Sequence, residues 1–211
     1  MLETIKQQLK SFPVAPVLPE SGNSGSTAAV LLILHGEPDN PLLVLTERAQ
    51  HLNSYAGEVA FPGGMWDSDD RDLLCTALRE TEEEIGLPPN LVTPIAMLPS
   101  TFTRDRNLVV RPFVGLVESP LKLKPEPAEI ASVFDLPIAA LTELNRYQYF
   151  EMGAGAGVVK FPYFEYQSYR VWGFTLKVMV DMLNITLGTQ IKLRYPTRQQ
   201  FEKLDHPRNL S

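Results

Sequence analysis

Three glutamates of one predicted helix are the residues of this chain best suited to chemistry. Glu80, Glu83 and Glu84 are related by spacings of three and four positions, so on a helix their carboxylates project into one arc of about 100°. Like charges this close repel one another, and a hard divalent cation such as Mg²⁺ or Mn²⁺ relieves the repulsion because it prefers oxygen ligands. The competing interpretation is a solvated helix face, since runs of glutamate are more often surface features than metal sites.

The elements around these glutamates favour the metal site. Gly63 and Gly64 end a predicted strand, and an acidic loop follows that contains Asp67, Asp69 and Asp70. A helix is predicted from about Asp69 to Ile85, before Gly86. A glycine in this place suits the left-handed conformation that terminates a helix. A strand, a glycine turn and a helix together make a rigid platform for preorganised ligands.

The rest of the chain alternates predicted strands with predicted helices, which indicates an α plus β protein with a mixed sheet. Turn-forming residues at 37–41 separate two apolar runs and predict an antiparallel pair. The patterns predict strands at residues 27–36, 42–48, 57–64, 95–98 and 108–117, weaker strands at 129–134 and 158–161, and a second main helix at 174–183.

We expect the chain to divide into three parts. Residues 1–26 comprise a short helix, whose apolar residues recur at helical spacing, and a linker rich in Pro, Gly and Ser. Residues 27–188 form the folded domain. Residues 189–211 form a polar, proline-interrupted extension that we expect to be peripheral or loosely ordered.

The composition excludes several classes of protein. The 211 residues carry a formal net charge of −6 and 44% hydrophobic residues, which indicates one soluble globular domain and disfavours a nonspecific grip on nucleic acid. The single Cys75 cannot form an internal disulfide or a multi-cysteine metal site. No secretory signal or bilayer-spanning apolar run is visible, so we expect no membrane partner and a cytoplasmic location. The oligomeric state stays open, with a homodimer as one arrangement.

The segment from Gly64 to Leu87, here called the box segment, resembles the Nudix box, the signature of hydrolases that act on nucleoside diphosphates linked to another group. The matching residues are Arg79, Glu80, Glu83, Glu84, Gly86 and Leu87. The stretch from Gly64 to Arg79 is one residue longer than the usual spacing, and Asp70 fills the acidic position where the box has Glu. Asp70 is interpreted as a helix-start acid or as a ligand through water. The resemblance implies an α/β (α+β) fold, an α/β/α sandwich around a mixed β-sheet.

The preceding segment, Val44 to Gly64, resembles the extended signature of the coenzyme A pyrophosphatase branch of the Nudix family. The match comprises Leu45, Thr46, Arg48, Ala49, Gly57, Phe61, Pro62, Gly63 and Gly64. Asn53 stands where the branch expects Arg, and Tyr55 where members often carry His. The resemblance implies a metal-dependent hydrolase that splits the diphosphate of coenzyme A or acyl-coenzyme A into 3′,5′-ADP and (acyl-)4′-phosphopantetheine.

The family resemblance assigns roles to individual residues. Glu80, Glu83 and Glu84 would bind Mg²⁺ or Mn²⁺, and Arg79 would fix Glu83 one turn along the helix through a charge-assisted hydrogen bond. The general base would be either Glu80 or Glu129. An exposed charge at a strand edge is an equally good interpretation of Glu129.

Substrate contacts are expected from Arg48, from Gly63 and Gly64, and from Arg104. Arg106 and Arg111 lie near Arg104 in the sequence and suit the same task. The aromatic residues that could stack an adenine are Phe102, Tyr169 and Trp172. Each of these side chains has an ordinary alternative, as a surface cation or as a core aromatic.

Two other functions stay open at this point. Asn53 and Tyr55 keep in consideration a Nudix hydrolase of another nucleoside diphosphate derivative, such as ADP-ribose or a dinucleotide. The second alternative is a Nudix domain that senses a ligand without catalysis. The intact box residues disfavour it, because a silent domain has no physical need for three adjacent metal-binding carboxylates.

Overall fold

The computed structural model describes residues 1–19, 27–103, 108–118, 120–153, 158–197 and 199–200. The end of the predicted linker, residues 20–26, and the end of the C-terminal extension, residues 201–211, lie outside the described residues. Within the described part of the chain, no helix is both long and apolar enough to cross a lipid bilayer.

The described elements comprise eleven strands and three α-helices. The strands are β1 (Thr27–Glu37), β2 (Asn40–Arg48), β3 (Val59–Ala60), β4 (Gly63–Met65), β5 (Thr93–Met97), β6 (Thr101–Phe102), β7 (Val109–Leu116), β8 (Ile130–Pro137), β9 (Tyr147–Met152), β10 (Val159–Tyr166) and β11 (Tyr169–Trp172). The helices are α1 (Leu2–Leu9), α2 (Leu73–Ile85) and α3 (Gly173–Leu187).

The main sheet is mixed. Strands β3, β2, β1, β7 and β5 are neighbours in that order, and β4, β6 and β8 pair with β1, β7 and β2. β1 runs parallel to β7 and antiparallel to β2, as the turn between the two apolar runs predicts. Strands β9, β10 and β11 form a separate antiparallel sheet.

Strand β1 is apolar along most of its length because both of its faces are covered. Leu31 and Ile33 belong to the core that the sheet shares with α2. The alternate residues Leu32 and Leu34 belong to the core on the opposite face, which includes residues of α1 and α3. Helices therefore cover both faces of the sheet, which confirms the expected α/β/α arrangement.

The N-terminal helix α1 is part of this core. Ile5 and Leu9 are fully buried, and α1 packs against α3. The predicted helix is thus confirmed at residues 2–9. Burial of its apolar face is what stabilises it, since a helix this short is marginal in isolation.

Helix α2 carries the box glutamates and begins four residues later than predicted, at Leu73 instead of Asp69. The side chain of Asp72 caps it by accepting a 2.9 Å hydrogen bond from the backbone amide of Cys75. Asp70 is therefore not the acid at the helix start. Gly86 ends the helix in the left-handed conformation, with φ of 67°, as its position predicts.

The single strand predicted at residues 57–64 is wrong. β3 pairs with β2, whereas β4 pairs with β1, and Phe61 and Pro62 carry the chain between them. Pro62 has no amide hydrogen, and its carbonyl accepts a 2.9 Å hydrogen bond from the amide of Leu31. Gly63 follows with φ of 145°, a conformation that other residues rarely adopt.

The remaining predictions are confirmed in part. The weaker strands are longer than predicted, as β8 and β10, and the second main helix extends to Leu187. Three strands, β6, β9 and β11, have no counterpart in the prediction. The start of the C-terminal extension is not loose, because the side chain of Asn184 in α3 makes hydrogen bonds of 2.8 and 2.9 Å to the amide and carbonyl of buried Ile191.

Candidate active site

Glu84 is a deeply buried carboxylate of the box segment. Only 3% of the residue is exposed, and one carboxylate oxygen accepts a 3.0 Å hydrogen bond from the backbone amide of Gly63. Burial raises the pKa of Glu84 to about 7; the Gly63 amide and Arg48 oppose this rise, whereas Glu80 and Glu129 add to it.

Arg48 approaches the same carboxylate. Its Nη1 lies 3.5 Å from Oε1 of Glu84, at the limit of a hydrogen bond. Its Nε is buried and has no hydrogen-bond partner among the described residues. The predicted phosphate ligand therefore contacts a box glutamate weakly and keeps one buried donor unsatisfied.

Arg79 ties the acidic loop to helix α2. Its Nε and Nη2 each donate to the carboxylate of Asp70 at 2.9 Å, a two-pronged pairing that fixes the guanidinium plane. Its Nη1 donates to Glu80 at 2.9 Å and to Glu83 at 3.1 Å. The predicted contact between Arg79 and Glu83 is thus confirmed, and the hydrogen bonds from Arg79 hold the pKa of Asp70 below its ordinary value.

Glu80 lies against the backbone of Gly64. A Cβ atom on Gly64 would be 2.4 Å from Cδ of Glu80, so any other residue at position 64 would displace this carboxylate. Burial raises the pKa of Glu80; Arg79 opposes the rise, and Glu83 and Glu129 add to it.

Glu129 belongs to the same group of charges, although its own side chain is exposed. Its carbonyl accepts a 2.8 Å hydrogen bond from the amide of Ala49, and the amide of Glu126 donates at 2.9 Å to the carbonyl of Glu84. These bonds fasten its loop to the end of β2 and to the end of α2. The negative charge of Glu129 contributes to the raised pKa values of both Glu80 and Glu84.

We call Asp70, Glu80, Glu83, Glu84 and Glu129 the carboxylate cluster. Arg79 joins Asp70, Glu80 and Glu83, and the charges of Glu80 and Glu129 act on Glu84. The guanidiniums of Arg48 and Arg79 contact members of this cluster. Among the described residues, no three His, Cys, Asp or Glu side chains already converge on one point that could hold an ion. The reason is that Arg79 holds Glu80 and Glu83, whereas Glu84 is turned toward Gly63.

The donor set nevertheless fits a hard divalent cation. It offers carboxylate oxygens alone, which suit Mg²⁺ and Mn²⁺. The raised pKa values of Glu80 and Glu84 mean that the protein itself does not compensate their buried charge. The assignment of Glu80, Glu83 and Glu84 as metal ligands stays a prediction.

A cavity of about 270 Å³ adjoins this cluster. Arg48, Gly63 and Gly64 form one part of its wall, and the first residues of α3 form another. Most of the other lining is apolar and includes Ala28, Val30, Phe61, Val110, Trp172 and Phe174. This apolar cavity therefore connects the glycine turn of the box segment to the junction between β11 and α3.

Of the other residues predicted to contact substrate, only Trp172 is described in the cavity wall. Arg104 and Arg106 lie outside the described residues, as does the side chain of Phe102. Arg111 donates a 3.3 Å hydrogen bond to the carbonyl of Leu98. Of the aromatic candidates, Tyr169 stacks on Phe134 with ring centroids 3.7 Å apart, and Trp172 lines the apolar cavity.

Sequence reasoning missed two pairings that shape the site. Asp70 and Arg79 are nine positions apart and Arg48 and Glu84 are thirty-six apart, so no helical or strand spacing connects them. The capping role of Asp72 did carry a signal, because Asp directly before an apolar helical run is a favoured cap.

Comparison with protein families identifies a match over more than half of the chain. The model of the NUDIX domain matches residues 25–152. These residues include the extended signature, the box segment and Glu129, and thus all five members of the carboxylate cluster.

Individual proteins agree with this match. A protein of Photorhabdus laumondii, named uncharacterized Nudix hydrolase NudL, is 36% identical over 152 residues, which cover 72% of this chain and 80% of that protein. The crystal structure of the Nudix hydrolase RenU from M. smegmatis matches with a TM-score of 0.54 at 17% identity, covering 86% of this chain and 99% of that one. A MutT/nudix family protein from Enterococcus faecalis matches with a TM-score of 0.50 at 16% identity, covering 81% and 65%. The two structures support the fold.

Proposed function

Because the chain belongs to the Nudix hydrolase family, we propose that it cleaves the diphosphate of coenzyme A or of an acyl-coenzyme A with Mg²⁺ or Mn²⁺. Enzymes of this family hydrolyse phosphorus-containing anhydrides and act on small nucleoside diphosphate derivatives. One observation carries the finer proposal: Arg48 and Gly63, both from the segment that resembles the coenzyme A branch, contact Glu84 of the box segment. These contacts support a role in the chemistry for the segment that carries Arg48 and Gly63.

The metal would be held by Glu80, Glu83 and Glu84. When bound, it polarises the phosphoryl oxygens and lowers the pKa of a coordinated water. Arg79 keeps Glu80 and Glu83 in fixed orientations, and Asp70 in turn fixes Arg79.

The reaction needs one water and one proton acceptor. The water oxygen bonds to one phosphorus, the bridging P–O bond breaks, and the bridging oxygen leaves with the second phosphate. Glu129 and Glu80 are the two candidates for the base that removes the proton from water. Both belong to the carboxylate cluster, and Glu129 is exposed to solvent, from which the water enters.

A second candidate function is hydrolysis of another nucleoside diphosphate derivative, such as ADP-ribose or a dinucleotide. Tyr55 favours it, because Tyr55 lines the apolar cavity and departs from the His that members of the coenzyme A branch often carry. One residue of the cavity wall therefore differs from the branch pattern.

A substrate panel tests the proposal. The protein is incubated with Mg²⁺ or Mn²⁺ and with coenzyme A, octanoyl-coenzyme A, ADP-ribose or a diadenosine polyphosphate, and the products are separated by chromatography. We expect 3′,5′-ADP from the two coenzyme A substrates and no turnover in EDTA. Cleavage of ADP-ribose alone would show that the second function is the correct one.

A matched pair of variants tests the metal assignment. Glu83→Gln should lower kcat/KM at least a hundredfold, because it removes a negative ligand. Glu82→Gln makes the same change at an exposed position of the same helix, and its kcat/KM should stay within about twofold of the parent's. Equal activities of the two variants would contradict the assignment.

A further inference from the structure

The turn that carries Glu129 is held on both sides of that residue. The carbonyl oxygen of Ala128 lies 3.0 Å from Nε2 of His51. The carbonyl of Glu129 itself accepts a 2.8 Å hydrogen bond from the amide of Ala49. These two carbonyls belong to the rigid peptide planes directly before and after the Cα of Glu129. Holding both planes fixes the dihedral angles at Glu129 and thus the direction in which its side chain leaves the backbone.

The bond from His51 has a defined direction and no local cause. A carbonyl oxygen only accepts, so Nε2 of His51 must carry the hydrogen and donate it to Ala128. The two residues are 77 positions apart, so the bond does not arise from a local turn. His51 is exposed, and none of the roles assigned above to metal binding, substrate binding or proton transfer belongs to it.

The two segments that His51 joins are both anchored near Glu84. His51 follows Arg48 by three residues, and Nη1 of Arg48 lies 3.5 Å from the carboxylate of Glu84. On the other side, the amide of Glu126 donates a 2.9 Å hydrogen bond to the carbonyl of Glu84. A shift of one segment against the other would therefore move Glu129 relative to the box glutamates.

We infer that His51 is a positioning residue for the reaction: by donating to the carbonyl of Ala128, it holds the carboxylate of Glu129 where that carboxylate takes the proton from the attacking water. The inference rests on the proposed function and selects Glu129 from its two candidate bases. The water oxygen bonds to phosphorus, the bridging P–O bond breaks, and the proton passes to a carboxylate oxygen of Glu129. His51 keeps its own hydrogen throughout.

Substitutions of His51 separate its hydrogen bond from the bulk of its side chain. His51→Ala removes the donor and should lower kcat about tenfold, with KM changed less than about twofold. His51→Gln supplies an amide donor at a similar reach and should recover most of the lost kcat. Ser54→Ala is the matched control, because Ser54 is an exposed residue of the same loop, and its kcat should equal that of the parent. All three variants should melt at the parent's temperature, since both substituted side chains are exposed.

A double-mutant cycle tests whether His51 acts through Glu129. Once Glu129→Gln has removed the base, its orientation no longer matters, so adding His51→Ala should lower kcat less than about twofold further. A further tenfold loss in the Glu129→Gln background overturns the inference. Equal losses of kcat in His51→Ala and His51→Gln overturn it as well, and so does a parental kcat in His51→Ala. A loss of thermal stability that parallels the loss of kcat would assign His51 a structural role instead.

Failure of the inference and failure of the proposed function give different results. The kinetics use coenzyme A and ADP-ribose side by side, because the position of the base does not depend on the end groups of the substrate. A parent that cleaves only ADP-ribose overturns the coenzyme A assignment, and the expected ratios among the His51 variants would then still support the positioning role. A Glu129→Gln variant with parental kcat overturns the positioning role and leaves the function intact. A parent that cleaves neither substrate overturns both.

Discussion

The backbone amide of Gly63 donates a 3.0 Å hydrogen bond to the carboxylate of Glu84. Glu84 is almost completely removed from water. The Gly63 amide and the guanidinium of Arg48, 3.5 Å from Glu84, both favour the charged form of its carboxylate. They do not offset the cost of burial, since the pKa of Glu84 rises to about 7. The fold thus keeps a costly charge beside a glycine turn, in a place where a bound cation would compensate it.

Glu84→Gln should stabilise the metal-free protein at pH 8. A carboxyl whose pKa is raised in the folded state favours folding less as pH rises, so the parent loses stability between its unfolded pKa of 4.5 and about pH 7. The full effect is at most ~3 kcal/mol. Urea unfolding in EDTA at pH 4.5 and pH 8 measures it, with a gain expected at pH 8 and little difference at pH 4.5. A gain that is equal at both pH values would show that the charge of Glu84 is not its cause.

Gly63→Ala should mainly lose stability, whereas Gly64→Ala should mainly lose activity. At Gly63 the added Cβ would lie 2.3 Å from the carbonyl oxygen of Ala29, and φ is 145°, so we expect a stability loss of at least ~2 kcal/mol. At Gly64 the Cβ would meet the carboxylate of Glu80, which can move aside. Gly64→Ala should therefore retain most of its thermal stability but lose about a hundredfold in kcat/KM.

Thermal melts and kinetics of both variants check this contrast. A Gly64→Ala protein with unchanged activity would mean that the position of Glu80 is unimportant for turnover. A Gly63→Ala protein as stable as the parent would mean that the chain relaxes at this turn without cost.

The sequence predicts those elements whose type and length follow from the local pattern of apolar residues and glycines. The length of β1 follows from its apolar residues, and the end of α2 follows from Gly86. The strands β9 and β11 are not predictable in this way, because their residues become strand by pairing with β10.

The contacts of the site differ in the same way: those within one helix are predictable from the sequence, and those between elements are not. The contact of Arg79 with Glu83 spans one helical turn and is predictable, since residues four apart on a helix are neighbours. The contact of Arg48, at the end of β2, with Glu84, near the end of α2, joins residues that are distant in the sequence, and no local pattern predicts it. The meeting of Gly64 with Glu80 likewise follows from the packing of β4 against α2.

Asp70→Asn should weaken both activity and stability. Asn cannot accept two hydrogen bonds from one guanidinium with the same geometry, so Arg79 would lose the partner that fixes its plane. We expect a ten- to hundredfold loss in kcat/KM. Because the pKa of Asp70 is lowered in the folded protein, its contribution is present near neutral pH and is lost as pH falls.

Unfolding curves at pH 7 and pH 3 test this dependence. The parent should exceed Asp70→Asn in stability at pH 7, and the difference should shrink at pH 3. Arg79→Lys should have a similar effect on activity, since an ammonium group cannot pair with Asp70 through two parallel bonds. An Asp70→Asn enzyme with full activity would show that Arg79 needs no support from the acidic loop.

Glu129→Gln should distinguish the two candidate bases. If Glu129 accepts the proton from water, the variant keeps metal binding and KM but loses at least a hundredfold in kcat, and the acidic limb of its pH–rate profile disappears. Glu80→Gln should instead raise the metal concentration needed for half-maximal activity, because Glu80 lies within the carboxylate cluster against Gly64. Glu37→Gln, at the exposed end of β1, is the matched control and should leave both quantities unchanged. Retention of the acidic limb by Glu129→Gln, together with its loss in Glu80→Gln at saturating metal, would assign the base to Glu80.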